Sequence, residues 1–556
     1  MKIFTLTFLI LMLTITGVIQ CQEQQREEKP LDKKTIVNAG KVIRMHFEEA
    51  ERDSLLDNVN NFLENYEKNR QVEIKNSVAP ALQFNPIPGW MEIQKSQREL
   101  NWELPDNVKL PENKSQLAFY SVPELAMLIR SEKITSEELT KLYLDRLKKY
   151  GDTLKCVISL TEYLAIKQAK RADEEIASGS YRGPLHGIPY GLKDLFKVEG
   201  YKTTWGAAPY KSQELEGNAT VYQKLKEAGA VLVAKLSMGA LAWGDVWYGG
   251  TTKNPWDLEQ GSSGSSAGSA SATAAGLVGF SLGTETYGSI VSPSTRCGVS
   301  GLRPTFGRVS RAGAMALSWT MDKIGPICRT AKGSAIVFDK IKGNDDIDLT
   351  TKDYPFNFDA SQEVKNLKVG YLKDLFEQDY RAHKNDSIAL NKLREMGIQL
   401  EAVSLPDDLP VRSLDFILDA EAATAFDKLT RTGQDDKLTR QVKNAWPNVF
   451  RAARFIPAVE YIKANRLRTL LMNEINKLFR EYDAIVTPSF GGNQLLLTNL
   501  TGHPCVVIPN GFDDKGHPTS ISFIGNLYEE GSLLELADAY QEKTDHEDQR
   551  PGFFKE

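Results

Sequence analysis

Two serines and one lysine in this chain have the types and settings that acyl-transfer chemistry needs. Ser265 and Ser289 lie in Gly261–Ser289, GSSGSSAGSASATAAGLVGFSLGTETYGS, where all but six of the 29 residues are Gly, Ser, Ala or Thr. Such a composition can be a flexible linker, but a linker has nothing apolar to bury. This stretch carries Leu277, Val278, Phe280 and Leu282 and runs on into GVSGLRP, Gly298–Pro304. Small residues permit the close backbone approach that a buried helix and tight turns require. A catalytic core segment is therefore the favoured reading. Serines flanked by glycine also sit where backbone N–H groups can face a substrate oxygen.

A serine hydroxyl is a weak nucleophile until a base takes its proton. Six histidines are present: His46, His186, His383, His503, His517 and His546. His46 falls in a charged helical stretch, and His383, His517 and His546 fall in polar, loop-like surroundings. His186 in GPLHGIP and His503 in TGHPC occupy turns bounded by Gly and Pro, where a structural role is the stronger reading. A Ser-His-Asp arrangement stays open without support. The other base available is a lysine whose pKa is pulled down by burial. Lys193 stands in HGIPYGLKDLF, His186–Phe196, a short apolar run that reads as a buried strand and its exit. It is the candidate base.

GLKDLF, then GSSGSSAGSA, then TETYGSIVSPS and GVSGLRPTFGRVSRAG resemble, in order and spacing, the amidase signature family. The resemblance runs from about Ser121 to the C-terminus and takes in NLTGHPCVVIPNGF, Asn499–Phe512. That family includes bacterial amidases, peptide amidases, fatty acid amide hydrolases and the A subunit of the tRNA amidotransferases. The resemblance implies Ser289 as nucleophile, Ser265 as a bridging serine held by a cis Gly264–Ser265 bond, and Lys193 as base. A proton would pass from Ser289 through Ser265 to Lys193, with Ser266 hydrogen-bonding the lysine. The backbone amides of Thr286, Tyr287, Gly288 and Ser289 would form the oxyanion hole, fixed before charge develops. No cofactor or metal is implied. The chain also departs from the family pattern. SGSSAGS, Ser263–Ser269, stands where GGSSGGS is more usual, Tyr287 replaces a frequent glycine, and Val291 replaces an arginine. That arginine normally faces the acidic residue at Glu285, which must here find another partner.

These residues need a scaffold. At 556 residues with a formal charge of −5, the chain is long enough for a large α/β enzyme and has no general basic footprint, so nucleic acid is disfavoured as a partner. Five cysteines lack the spacing of a zinc site or a disulfide framework. Cys156, Cys297, Cys328 and Cys505 read as small buried hydrophobes. Ser121-Val-Pro-Glu124 and Thr135-Ser-Glu-Glu138 are capping boxes that start helices to about Ser131 and Tyr150. Strands at Cys156–Leu160 and Val231–Ala234 alternate with helices at Leu164–Ala177 and Val221–Ala228. The expected fold is α/β, a central mixed, twisted β-sheet covered on both faces by helices. Residues from about Asn344 to Phe479 read as mostly helical, with Leu405–Leu414 a Pro-bearing loop.

Met1–Gln20 has one lysine and then a long apolar run, as a signal peptide does. Cys21 at its end resembles a bacterial lipoprotein cleavage site, which makes it the candidate lipidation site and membrane tether. Plain secretion and an uncleaved anchor are the alternatives. Residues 21–115 read as a charged tether and helical N-terminal extension, with Leu55, Leu56, Val59, Phe62, Leu63 and Tyr66 on one face of a helix over Met45–Asn69. Ala79–Trp102, richer in Pro and Trp, is expected to wrap over a catalytic domain spanning 116–550.

The leading expectation is an exported amidase, in the cell envelope or periplasm, that hydrolyses a carboxamide through a serine acyl-enzyme. A glutamine-hydrolysing A subunit of a tRNA-dependent amidotransferase is the first alternative, and a non-catalytic envelope binding protein the second. The family resemblance also admits a homodimer. Trp243, Trp247, Tyr248 and Trp319 near the motifs suggest an apolar pocket, although each aromatic more often belongs to a core.

Overall fold

The computed structural model describes residues 31–555. Met1–Gln20 and Cys21 lie outside the described residues. Packing divides the chain at Ile74/Lys75, well ahead of the composition change near 115. The first unit contains helices Lys33–Ile43 and Glu49–Arg70. The second starts later than the expected Met45, because Glu48 closes a capping box with Glu51 and so fixes the first turn there. None of its residues is fully buried, and Phe62 and Tyr66 on its apolar face are exposed. Among the described residues no helix is long and apolar enough to cross a membrane.

The second unit is built on an 11-stranded mixed sheet. Its strands are β1 (Val157–Leu160), β2 (Pro189–Lys193), β3 (Val231–Leu236), β4 (Phe280–Glu285), β5 (Ser300–Arg303), β6 (Lys323–Cys328), β7 (Val369–Leu372), β8 (Leu400–Val403), β9 (Ala484–Pro488), β10 (Cys505–Phe512) and β11 (Pro518–Gly525). Across the sheet they run β1-β3-β2-β4-β6-β5-β10-β11-β9-β7-β8. β2 is parallel to both β3 and β4, whereas β4, β6, β5, β10 and β11 pair antiparallel in turn. Every residue of β2, β3, β4 and β6 is buried, as strands covered on both faces must be.

Both capping boxes are present. Ser121 and Thr135 accept the N–H groups of Glu124 and Glu138, and they start helices Val122–Arg130 and Ser136–Leu154. The Gly/Ser/Ala stretch forms a fully buried helix, Ala267–Ala274, and then β4. The 344–479 region is not helical throughout, because it supplies β7 and β8 at one end of the sheet. β8 is only four residues long and lies at the sheet edge, half exposed, so it leaves little hydrophobic alternation to read. Residues 76–102 drape over the catalytic unit. Phe84 meets Phe306 edge-on under the Arg468 guanidinium, Trp90 donates to Asn473, and Trp102 stacks on Phe358.

Candidate active site

Lys193 ends β2, and its side chain is fully buried. Its Nζ lies 2.8 Å from Ser265 Oγ, 3.0 Å from Ser266 Oγ and 2.8 Å from Thr284 Oγ1, with the Thr284 carbonyl at 3.4 Å. No carboxylate is in ion-pair contact with it among the described residues. Burial holds the amine well below the ordinary lysine range, against the more distant charges of Asp322 and Glu285, which pull the other way. A neutral amine ringed by hydroxyls can take a proton from one of them.

The Gly264–Ser265 peptide bond is cis. Ser266 Oγ donates to the Thr284 carbonyl at 3.1 Å and accepts the Thr284 N–H at 3.1 Å, which fixes the pair of serines against β4. This approach needs Gly283, since a Cβ there would lie 2.7 Å from Ser266 Oγ. The Ser266 N–H donates to the Ser289 carbonyl at 3.2 Å, so the two serine segments are tied backbone to backbone. Ser265 Oγ and Ser289 Oγ themselves share no hydrogen bond among the described residues.

Ser289 lies just past β4, in the turn before helix Val291–Cys297, and is 8% exposed. Gly288 takes φ +88°, a left-handed conformation that suits glycine. Among the described residues the N–H groups of Thr286, Tyr287, Gly288 and Ser289 donate to no protein acceptor. Glu285 braces the turn from beneath by accepting the N–H groups of Ile290 at 2.9 Å and Val291 at 3.0 Å. Its missing arginine is replaced by Arg303 of GVSGLRP, 2.8 Å away with both side chains fully buried, and Asn499 adds a bond at 2.8 Å. Burial alone would raise the Glu285 pKa, but the Arg303 charge and these donors hold it down to about 2. On the far side of the turn, Thr286 Oγ1 donates to Asp322 at 2.6 Å.

The remaining residues singled out by sequence are elsewhere. No histidine contacts Ser265 or Ser289 among the described residues. His186 lies against Glu175 at 3.1 Å, and His503 stacks on Phe479 with its pKa lowered by burial to about 3. Cys156, Cys297, Cys328 and Cys505 are free and buried, and burial pushes the Cys505 thiol up to about 11. Of the four aromatics only Trp319 lines the cavity of about 340 Å³ that reaches Thr284 and Thr286. Trp247 bonds the Lys155 carbonyl, and Trp243 lies under Arg440. Thr284, Arg303, Asp322 and Asn499 belong to the site but carry no signal of their own. Arg303, Asn499 and Thr284 stand inside the motifs GVSGLRP, NLTGHPC and TETYGSIVSPS, whereas Asp322 lies outside them and reaches the site because β6, which it precedes, pairs with β4.

Comparison with known proteins follows the same lines. The family model Amidase matches residues 138–497. The chain is 33% identical over 488 residues to the A chain of the glutamyl-tRNA(Gln) amidotransferase of Carboxydothermus hydrogenoformans, covering 78% of this chain and 99% of that one. Among solved structures it is similar to the peptide amidase of Stenotrophomonas maltophilia, with a TM-score of 0.70, 28% identity and coverage of 77% of this chain and 98% of that one. An amidase family protein from Bacillus anthracis has the same TM-score at 27% identity, covering 79% of this chain and 93% of that one.

Proposed function

The chain belongs to the amidase family, whose members hydrolyse C–N amide bonds, and from that premise we propose that it is a serine amidase working through Ser289, Ser265 and Lys193. Ser289 Oγ attacks the amide carbonyl while its proton moves through Ser265 to the Lys193 amine. The resulting oxyanion is held by the N–H groups of Thr286–Ser289, whose donors are fixed in place before charge appears. The tetrahedral carbon then expels ammonia or an amine, which takes the proton back along the same route. Water resolves the acyl-enzyme. The contact between Ser265 and Ser289 closes in the substrate complex, as catalytic hydrogen bonds often do.

One observation carries this reading. Lys193 is buried among hydroxyls with no ion-pair partner among the described residues, so its proton affinity is free to serve Ser265. The test is intact-protein mass after treatment with a fluorophosphonate, mapped by peptide sequencing, together with ammonia release from a panel of carboxamides. A single adduct on Ser289, slowed in Lys193→Ala, is the expected result. Labelling at another residue, or full amide hydrolysis by Ser289→Ala, would sink the mechanism.

A second reading has its own support, since sequence relatives at 33% identity are the A chains of amidotransferases. In it the amide is that of glutamine and the ammonia passes to a partner chain. Glutaminase activity combined with co-purifying partner chains would favour it. The pattern of Met1–Cys21 supports export with Cys21 as an acylated tether, which would separate the protein from charged tRNA. Mass analysis of the mature N-terminus decides that point.

A further inference from the structure

We infer that residues 76–83 are the specificity wall of this enzyme, closing an apolar cavity that takes the acyl side of a medium-chain or single-ring amide; the inference rests on Ser289 as nucleophile. The cavity, of about 340 Å³, touches Thr284, whose hydroxyl accepts from Lys193, and Thr286, the first residue of the turn that carries Ser289. It therefore opens beside the reacting groups.

Its chemistry is apolar. Leu195, Ala242, Met315, Leu317, Trp319 and Ile324 form the inner wall. The charged groups that border it already have partners. Arg311 is engaged by Asp348, Thr350 and the Trp319 carbonyl. Asp322 accepts from Thr286, Leu317 and Ser318. Lys323 gives its amine to the Met321 carbonyl. Apart from the Thr286 N–H, which the proposed mechanism assigns to the oxyanion, each of these charged side chains has a protein partner among the described residues, so the acyl portion must gain by leaving water rather than by pairing. The volume lies at the small end of the roughly 300–1,000 Å³ of ligand pockets, which fits a medium chain or one ring rather than a long acyl chain.

The outer wall comes from a segment that precedes the family-matched residues 138–497. Ala79, Pro80 and Ala81 line the cavity from that side. Asn76 fastens the segment by a reciprocal pair of bonds to Ala316, Nδ2 to the carbonyl at 2.9 Å and the Ala316 N–H to Oδ1 at 2.7 Å. Ala316 lies between Met315 and Leu317 of the inner wall. Phe84 pins the other end, its ring 5.0 Å from that of Phe306. The strap is therefore held at both ends over the cavity, with the small side chains of Ala79, Pro80 and Ala81 lining it in between. The catalytic groups all lie within the region the family model matches, and this wall does not.

The test measures the rate of Ser289 phosphonylation by fluorophosphonates whose alkyl group runs from methyl to dodecyl, followed by intact mass. Wild type should react faster with each added methylene, about fourfold at ~0.8 kcal/mol per buried CH₂, until the cavity fills and the rate levels off. Ala79→Phe and Ala81→Phe occupy the space from the strap side and should lower the octyl-to-methyl rate ratio at least tenfold. Asn76→Ala frees the strap and should move the levelling-off to longer chains. Equal rates for all chain lengths in wild type would overturn the inference, as would an unaltered octyl-to-methyl ratio in both phenylalanine variants. Absence of any adduct on Ser289 would instead remove the nucleophile, and the inference with it.

Discussion

Two buried lysines sit side by side in the sheet and have been given opposite chemistry. Lys193 on β2 pairs in register with Leu236 on β3, and Leu192 pairs with Lys235. Both lysine side chains are fully buried. Lys235 forms an ion pair with Asp194 at 2.8 Å and donates to the Lys202 carbonyl at 2.9 Å. Among the described residues Lys193 hydrogen-bonds only hydroxyls and a carbonyl. Burial alone does not make a base: Lys235 is tied to a carboxylate, whereas Lys193 has hydroxyls within reach that could give it a proton. A third buried lysine, Lys323, is also pulled well below the ordinary range by burial, but its amine bonds the Met321 carbonyl and has no serine to deprotonate. The partner set is what singles out Lys193 as the proposed base.

The largest effect expected from this contrast is on Lys193→Ala. Loss of the base should lower kcat by about 10²–10⁴, with a smaller change in denaturant midpoint than in Lys235→Ala, since no buried counter-ion is left uncompensated. The pH profile follows from the direction of the shift. Turnover needs the neutral amine, so log kcat/KM in wild type should rise with unit slope through a pKa well below the ordinary 10.5 and then level. The folded pKa lies below the unfolded one, so the same group's contribution to stability is greatest above about 10.5 and is lost as pH falls toward the folded value. A profile that keeps its acid limb in Lys193→Ala would assign that limb to another group.

Lys235→Ala should show the reverse pattern. It leaves Asp194 buried and uncompensated, a loss of about 3–5 kcal/mol in unfolding free energy. Activity per folded molecule, measured by active-site titration, should stay within about threefold. If Lys235→Ala and Lys193→Ala lose turnover equally in folded protein, the distinction between the two lysines collapses.

Glu285→Gln tests the brace beneath the nucleophile turn. A carboxyl held at about 2 rather than 4.5 corresponds to about 3 kcal/mol of stability. Because the folded value is the lower one, that stability is present above about 4.5 and is lost as pH falls through about 2. The glutamine variant should therefore be less stable at neutral pH and lose the acid-side part of the wild-type dependence. Chemical denaturation at several pH values reads both effects.

Much of this site was legible in the sequence, because small residues and motif order carry it. A run of Gly, Ser and Ala with interspersed Leu, Val and Phe favours a buried segment over a linker, and an apolar run around Lys193 favours a buried lysine; both are buried here. Helices with capping boxes at Ser121 and Thr135 were equally plain, since a local hydrogen bond sets each start. What could not be read depends on contacts distant in the chain. Arg303 takes over from the arginine missing at 291 only because β5 is brought near Glu285, across β6. β7 and the edge strand β8 hid in a helical region because each spans only four residues. The role of Asn76 depends on a partner in Ala316, far along the chain.

Thr284→Val gives the smallest effect and the sharpest test of what tunes the base. Thr284 Oγ1 accepts from Lys193 Nζ at 2.8 Å, whereas the proposed mechanism assigns relay and support to the neighbouring Ser265 and Ser266 hydroxyls. Valine keeps the shape but removes an acceptor that favours the ammonium form. The Lys193 pKa should then fall further, moving the acid limb of kcat/KM to lower pH. At the plateau, loss of one bond worth about 1 kcal/mol should slow turnover by about fivefold. A shift of the limb with a small plateau loss would show that Thr284 sets the charge of the base rather than its position. A plateau loss with no shift would mean the opposite, that the hydroxyl aims the amine at Ser265 and that apolar burial alone keeps it neutral.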